Sequence, residues 1–212
     1  MNVVNEWKVV KKNGKSVITR ISTNNNIKKL KATNPLMDKF APAGTNQPIE
    51  VTYSHQQYAE ACARGMKLGH LKNSITKGRS NVWGMLGEAI VAQYTNSKLV
   101  DTFQYDLLSP TGEKLEVKTK KTTLTVAPKT YFECSVCDHN SKQNCDYYVF
   151  VRVSTNCKKA WICGQVHKTH LKKRARYFKK GDTDPRNNYK VHASCWNLNI
   201  AELDEVPKFS SN

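Results

Sequence analysis

The apolar positions of this chain change period along its length. From Ser54 onward, Tyr58, Ala61, Cys62, Gly65 and Leu68 recur at helical spacing, and Ser54 can cap them, so a helix is predicted there. Val82, Leu86, Ala89, Ile90 and Tyr94 repeat the stripe and predict a second helix over 81–94, with Ser80 as its cap. The pattern then switches to strands over 99–108 and 114–125, around a turn at Ser109-Pro110-Thr111-Gly112. Residues 132–145 read as one or two helical turns. Tyr147-Tyr148-Val149-Phe150-Val151 is a continuous apolar run, the pattern of a strand buried on both faces, and 160–166 should pair with it. Residues 168–178 read as a basic amphipathic helix on Leu171, Ala175 and Phe178. Asn199 followed by Glu202 is a capping-box signature for a last short helix.

Residues 1–50 look different. Pro35, Pro42, Gly44 and Pro48 punctuate a basic stretch, in which Val9-Val10 and Val17-Ile18 flank Asn13-Gly14 as a predicted hairpin. The expected organisation is a basic accessory region over 1–50 and an α/β domain over 51–212, with its core at about 80–166. That domain is expected to be a mixed sheet covered by helices.

Composition sharpens the picture through the sign of its charge. Charged residues make up 24% of the 212, ordinary for a globular protein, but 34 Lys and Arg stand against 17 Asp and Glu, a formal net charge of +17. No stretch approaches the roughly 18–20 apolar residues that cross a bilayer. The first residues show no basic segment leading into an apolar one, so no secretory signal and no membrane partner are expected. A polyanion is the expected partner. Two basic runs carry no acid: Arg64, Lys67, Lys72, Lys77 and Arg79, and then Lys168, Lys172, Lys173, Arg174, Arg176, Lys179 and Lys180. With Lys120 and Lys121 they read as a phosphate-binding surface whose grip weakens with salt. No base-reading motif accompanies them.

Seven cysteines, an odd number in a chain long enough to build its own core, imply reduced thiols and a cytoplasmic location. Cys134-x2-Cys137, with His139 and Cys145 nearby, has the look of half a Zn²⁺ site. The spacing is not that of a standard finger, and metal-free thiols are the expectation.

The residues that suggest chemistry lie around the predicted hairpin. In a strand, residues two apart share a face, so Glu116 and Lys118 lie side by side while Leu115, Val117 and Thr119 point the other way. Asp106 stands on the preceding strand and Glu88 on the preceding helix, where Gly84 and Gly87 permit close approach to a sheet. Asp106 can sit directly opposite Glu116 only if paired residue numbers sum to 222, which sets Leu108 against Lys114 across the five-residue loop 109–113. Carboxylates from two elements can hold Mg²⁺, and a lysine beside them can stabilise charge developing on a phosphate.

Gly87-Glu88 on a helix, Asp106 at a strand end and Glu116-Val117-Lys118 on the next strand resemble the PD-(D/E)XK nuclease superfamily. The likeness spans about residues 80–166, including the two apolar strands after the motif. It implies a restriction-endonuclease-like or Holliday-junction-resolvase-like fold and a Mg²⁺-dependent endonuclease acting on duplex or branched DNA, with Mn²⁺ able to substitute. Carried over, Asp106 and Glu116 would be metal ligands, Val117 would lend its carbonyl, Lys118 would be the catalytic lysine and Glu88 the helix carboxylate. Tyr105 stands where the superfamily commonly has Pro. A double-strand cut commonly needs two active sites, so a homodimer is a candidate assembly, and no small-molecule cofactor is implied. Asp101 is the competitor for the aspartate role, and Gln143 reads as a solvated loop residue. Two alternatives stay open: a nucleic-acid-binding protein with a zinc-stapled subdomain and no catalysis, and a ribonuclease on the same scaffold.

Overall fold

The structure, a computed structural model, describes residues 5–12, 15–22, 45–68, 81–100 and 102–209. It divides into two units, Met1–Pro35 and Leu36–Asn212. In the first, β1 (Asn5–Lys12) and β2 (Lys15–Ser22) form the expected antiparallel hairpin, with Val9 opposite Ile18 and Val10 opposite Val17. Asn13-Gly14 lies outside the described residues.

Residues 45–52 are bound into the second unit. Asn46 donates from Nδ2 to the carbonyls of Cys163 and Ile200, and β3 (Ile49–Thr52) takes an edge of the main sheet. That sheet has six strands in the order β3, β9 (Lys159–His167), β8 (Tyr147–Ser154), β6 (Lys114–Thr122), β5 (Leu107–Leu108) and β4 (Lys98–Leu99). β8 runs parallel to β6 and antiparallel to β9, so the sheet is mixed and the domain is α/β.

Helix α1 (His55–Leu68) starts at a reciprocal cap: Ser54 Oγ accepts from Gln57 N–H, and Gln57 Oε1 accepts from Ser54 N–H. Helix α2 (Asn81–Thr95) packs beside it, with Tyr58 and Trp83 rings 5.7 Å apart. Together they cover one face of the sheet. Leu86, Ile90 and Val91 meet Leu115, Val117, Val149 and Val151 there. The opposite face carries Tyr148, Phe150 and Trp161. It is roofed by α3 (Lys168–Arg174) and by a three-stranded sheet of β10 (Arg176–Phe178), β13 (Cys195–Asn199) and β7 (Glu133–Cys137). β11 (Thr183–Asp184) and β12 (Tyr189–Lys190) form a small hairpin after β10. The alternation on β8 divides its side chains between two cores, which is why that run is apolar throughout. No described helix is long and apolar enough to cross a membrane.

Several expected elements take another form. The strand over 99–108 is only the two ends β4 and β5, because Thr102 Oγ1 bonds both the N–H and the carbonyl of Tyr105 and closes a local turn. The helical turns over 132–145 are instead β7 and a 3₁₀ turn at Asn140–Lys142. The basic helix over 168–178 stops at Arg174, since residues 176–178 pair with β13. The last short helix is a 3₁₀ turn (Ile200–Glu202) with the Asn199/Glu202 capping box in place.

Candidate active site

The site forms where β5 leaves β6. The register is the one direct opposition requires: Leu107 faces Leu115, Leu108 faces Lys114, and residues 109–113 close the loop. Beyond Leu107 the ladder ends, with Asp106 N–H donating to Leu115 O at 2.9 Å. The next backbone donor on that edge of β6, Val117 N–H, has no strand partner and gives its hydrogen bond to Asp106 Oδ2 at 2.7 Å. Within a strand a residue's N–H and carbonyl point to the same side, so the Val117 carbonyl faces the edge where Asp106 stands.

Glu116 and Lys118 share the other face of β6. Lys118 Nζ donates to Glu116 Oε1 at 2.7 Å and to Gln143 Oε1 at 3.1 Å. Both side chains are largely buried, at 7% exposure for Glu116 and 16% for Lys118. Gln143 is the residue that sequence reasoning underrated. Its amide also donates to Phe103 O, so it joins the loop before Asp106 to the lysine. The available signal was topological: β8 lies beside β6 and begins at Tyr147, so the crossover must end over the motif.

Glu88 comes from α2 and is buried, with Arg64 Nη2 at 3.2 Å from its Oε2. Gly87 makes this approach possible. A Cβ there would fall inside the Thr119 hydroxyl and 3.0 Å from Thr119 Cβ, so only glycine lets α2 lie this close to β6.

Asp106 senses the other two carboxylates. Burial first, then the charges of Glu116 and Glu88, push Asp106 well above the usual carboxylate range, against the pull of the Val117 N–H and Lys118. A divalent cation would relieve that repulsion, and oxygen donors of this kind fit Mg²⁺ by chemistry. As they stand, Glu116 is engaged by Lys118 and Glu88 by Arg64. Among the described residues, no three His, Cys, Asp or Glu side chains are grouped closely enough to hold a metal ion.

No protein-family model and no curated protein matches this chain.

Other expected residues separate in space. Lys77, Arg79 and Asp101 lie outside the described residues. Arg64 turns to Glu88 rather than away from the protein. Arg174 pairs with Asp204, and Arg176 with Glu202 and Glu133, so both guanidinium groups are engaged by acids of the chain itself. Their acids are remote in sequence, which is why the run looked unopposed. Lys172 and Lys173 remain exposed, as do Lys120 and Lys121 on β6. All seven cysteines are free thiols. Cys134 and Cys137 sit three apart in β7 and so face opposite sides, which separates the two sulfurs of the supposed half-site. Cys145 is buried in the second core, and its thiol is pushed up to about 11 by that burial.

Proposed function

We propose that the chain is a metal-dependent endodeoxyribonuclease, a phosphodiester hydrolase on a restriction-endonuclease-like sheet, acting on duplex or branched DNA. The observation that carries this reading is the place of Asp106, with the Glu116–Lys118 pair on one side and Glu88 on the other, close enough that the two glutamates raise its pKa. Such perturbed clusters concentrate where a protein does chemistry on a charged group. Asp106 and Glu116, with the Val117 carbonyl, would hold Mg²⁺, or Mn²⁺ in its place, and Glu88 would be the helix carboxylate behind them. When bound, that ion neutralises phosphate charge and acidifies the attacking water. Lys118, steadied by Glu116 and Gln143, supplies a positive charge for the phosphate oxygens as water adds and the leaving oxygen departs. Exposed Lys120, Lys121, Lys172 and Lys173 supply backbone contacts. A cytoplasmic location suits the free thiols, and a homodimer would supply the second site that a double-strand cut requires.

One observation favours a second reading, a nucleic-acid-binding protein without catalysis: Glu116 with Lys118 and Glu88 with Arg64 already form ion pairs. Supercoiled plasmid, a four-way junction and single-stranded RNA, each with Mg²⁺ or EDTA, separate the readings. The expected result is DNA cleavage that EDTA and Glu116→Gln both abolish. Binding without cleavage would transfer the protein to the second reading, and preferential cutting of RNA would make it a ribonuclease.

A further inference from the structure

A cavity of about 600 Å³ opens beside the candidate site, between β6, the outer face of the β7–β13 pair and the β11–β12 hairpin. Lys120 stands at its wall. It lies two residues beyond Lys118 on the same face of β6, hence about 6.6 Å further along the strand. Cys137 is also in the lining.

The lining suits one kind of ligand. Tyr131 and Tyr189 offer aromatic rings, and Tyr189 is 55% exposed, with the His192 ring edge-on at 5.6 Å. Arg152 and Asn197 line the cavity while only 7% and 6% exposed, and each carries a buried atom with no hydrogen-bond partner: the Arg152 Nε donor and the Asn197 Oδ1 acceptor. Aromatic rings beside these buried polar side chains suit the face of a nucleobase. The acids in the lining do not oppose a phosphate, because Arg186 engages both Glu133 and Asp184. No carboxylate among the described residues pairs with Lys120, which leaves its ammonium available to an anion.

We propose that this cavity receives one unpaired nucleotide of the substrate strand, its base against Tyr131 and Tyr189 and its phosphate at Lys120, next to the phosphate to be cut. The inference deepens the endonuclease reading and rests on it for the position of the scissile bond. It narrows the substrate to single-stranded, branched or flapped nucleic acid, since a paired base must leave its stack before it can enter.

The test is made on the full chain in EDTA, where nothing is cut. Adenosine 5′-monophosphate, adenosine and inorganic phosphate are titrated separately, followed by a six-nucleotide single strand as DNA and as RNA and by a blunt duplex. Affinities come from calorimetry and location from backbone amide resonances. The monophosphate is expected to bind about tenfold tighter than adenosine or phosphate alone and to shift the amides of Ser135, Tyr189 and Asn197. Tyr189→Ala should weaken it about tenfold, whereas Tyr189→Phe keeps the ring and the affinity. Lys120→Ala should bring the monophosphate to the level of adenosine. The two single strands show which sugar the cavity accepts, and the duplex should leave the three amides unmoved. Equal binding of phosphate and monophosphate, an unaffected Tyr189→Ala, or a duplex that shifts the same amides overturns the proposal. Tyr189 is exposed enough that its loss does not threaten folding, and unchanged thermal unfolding verifies this. Because no turnover is read, these affinities can fail while plasmid cleavage succeeds, and the reverse.

Discussion

Removing the Lys118 ammonium tests both the electrostatics of the site and its chemistry. An exposed ion pair contributes about 0–1 kcal/mol, but this one is not exposed: the side chains are 16% and 7% accessible and the atoms 2.7 Å apart. Lys118→Met leaves the Glu116 carboxylate buried beside Asp106 without its cation. Breaking a buried pair from one side costs about 3–5 kcal/mol, a large share of a typical domain's stability of roughly 5–15 kcal/mol. Glu116→Gln strands a charge that Gln143 still solvates, and its cost should be smaller, about 1–3 kcal/mol. The double variant leaves no stranded charge in the pair, so it should be more stable than the sum of the single changes allows, with a coupling of about 2–3 kcal/mol. Urea unfolding in EDTA, compared at a shared slope, measures all four proteins. Cleavage assays with Mg²⁺ run alongside should show no activity in any variant, so that the double variant regains stability and not catalysis. Costs that add to within about 0.5 kcal/mol would refute the pairing. Cleavage by Lys118→Met would refute the lysine's role.

Acidity gives a second expectation. Asp106 has a folded-state pKa above its unfolded value, so the folded protein takes up that proton first. Stability should therefore rise as pH falls from neutral through the folded pKa and level off below the unfolded one, and Asp106→Asn should flatten that segment of a urea-midpoint profile. Gly87→Ala should destabilise by about 1–3 kcal/mol through overpacking, despite alanine's better helix propensity, and adding Thr119→Ala should recover part of the loss of thermal stability. Lys172→Ala with Lys173→Ala should make the slope of log affinity against log salt shallower by about 2 on duplex DNA, at roughly 0.9 per phosphate contact. Arg174→Ala, which cuts the tie to Asp204, should lower the melting temperature and leave that slope unchanged.

What could be read ahead of the structure follows the range of the interactions. The two capping boxes, at Ser54 and Asn199, use partners three residues away and are written in the sequence. The β5–β6 register follows from parity alone, and β8 declares itself because both of its faces are covered. Long-range partners hid the remainder. β7 and β10 exist because β13 lies between them, and no local pattern in 132–145 or 176–178 names that strand. Arg174 and Arg176 looked like free cations because Asp204, Glu202 and Glu133 are distant in the chain. Within the site, Asp106, Glu116 and Lys118 could be placed by strand alternation. Gln143 and the Arg64–Glu88 pair could not, since each depends on how a helix or a crossover packs against the sheet.

The position of β13 at the centre of the small sheet also orders the assembly of the domain in time. β7 and β10 are edge strands that meet only through β13, so neither has its hydrogen-bonding partner until residues 195–199 arrive. The helix-covered face of the main sheet can form from segments ending at β9, a mostly local set apart from the late strap Val206. Until β13 docks, Tyr148, Phe150 and Trp161 lack the cover of Leu198, Ile200 and Leu203. Pairings across such separations form slowly, and an intermediate with this apolar face open is prone to self-association. Refolding should therefore proceed in two stages, with the second accelerated by dilution of any aggregate and delayed by substitutions in β13, such as Leu198→Ala, that leave the first stage untouched.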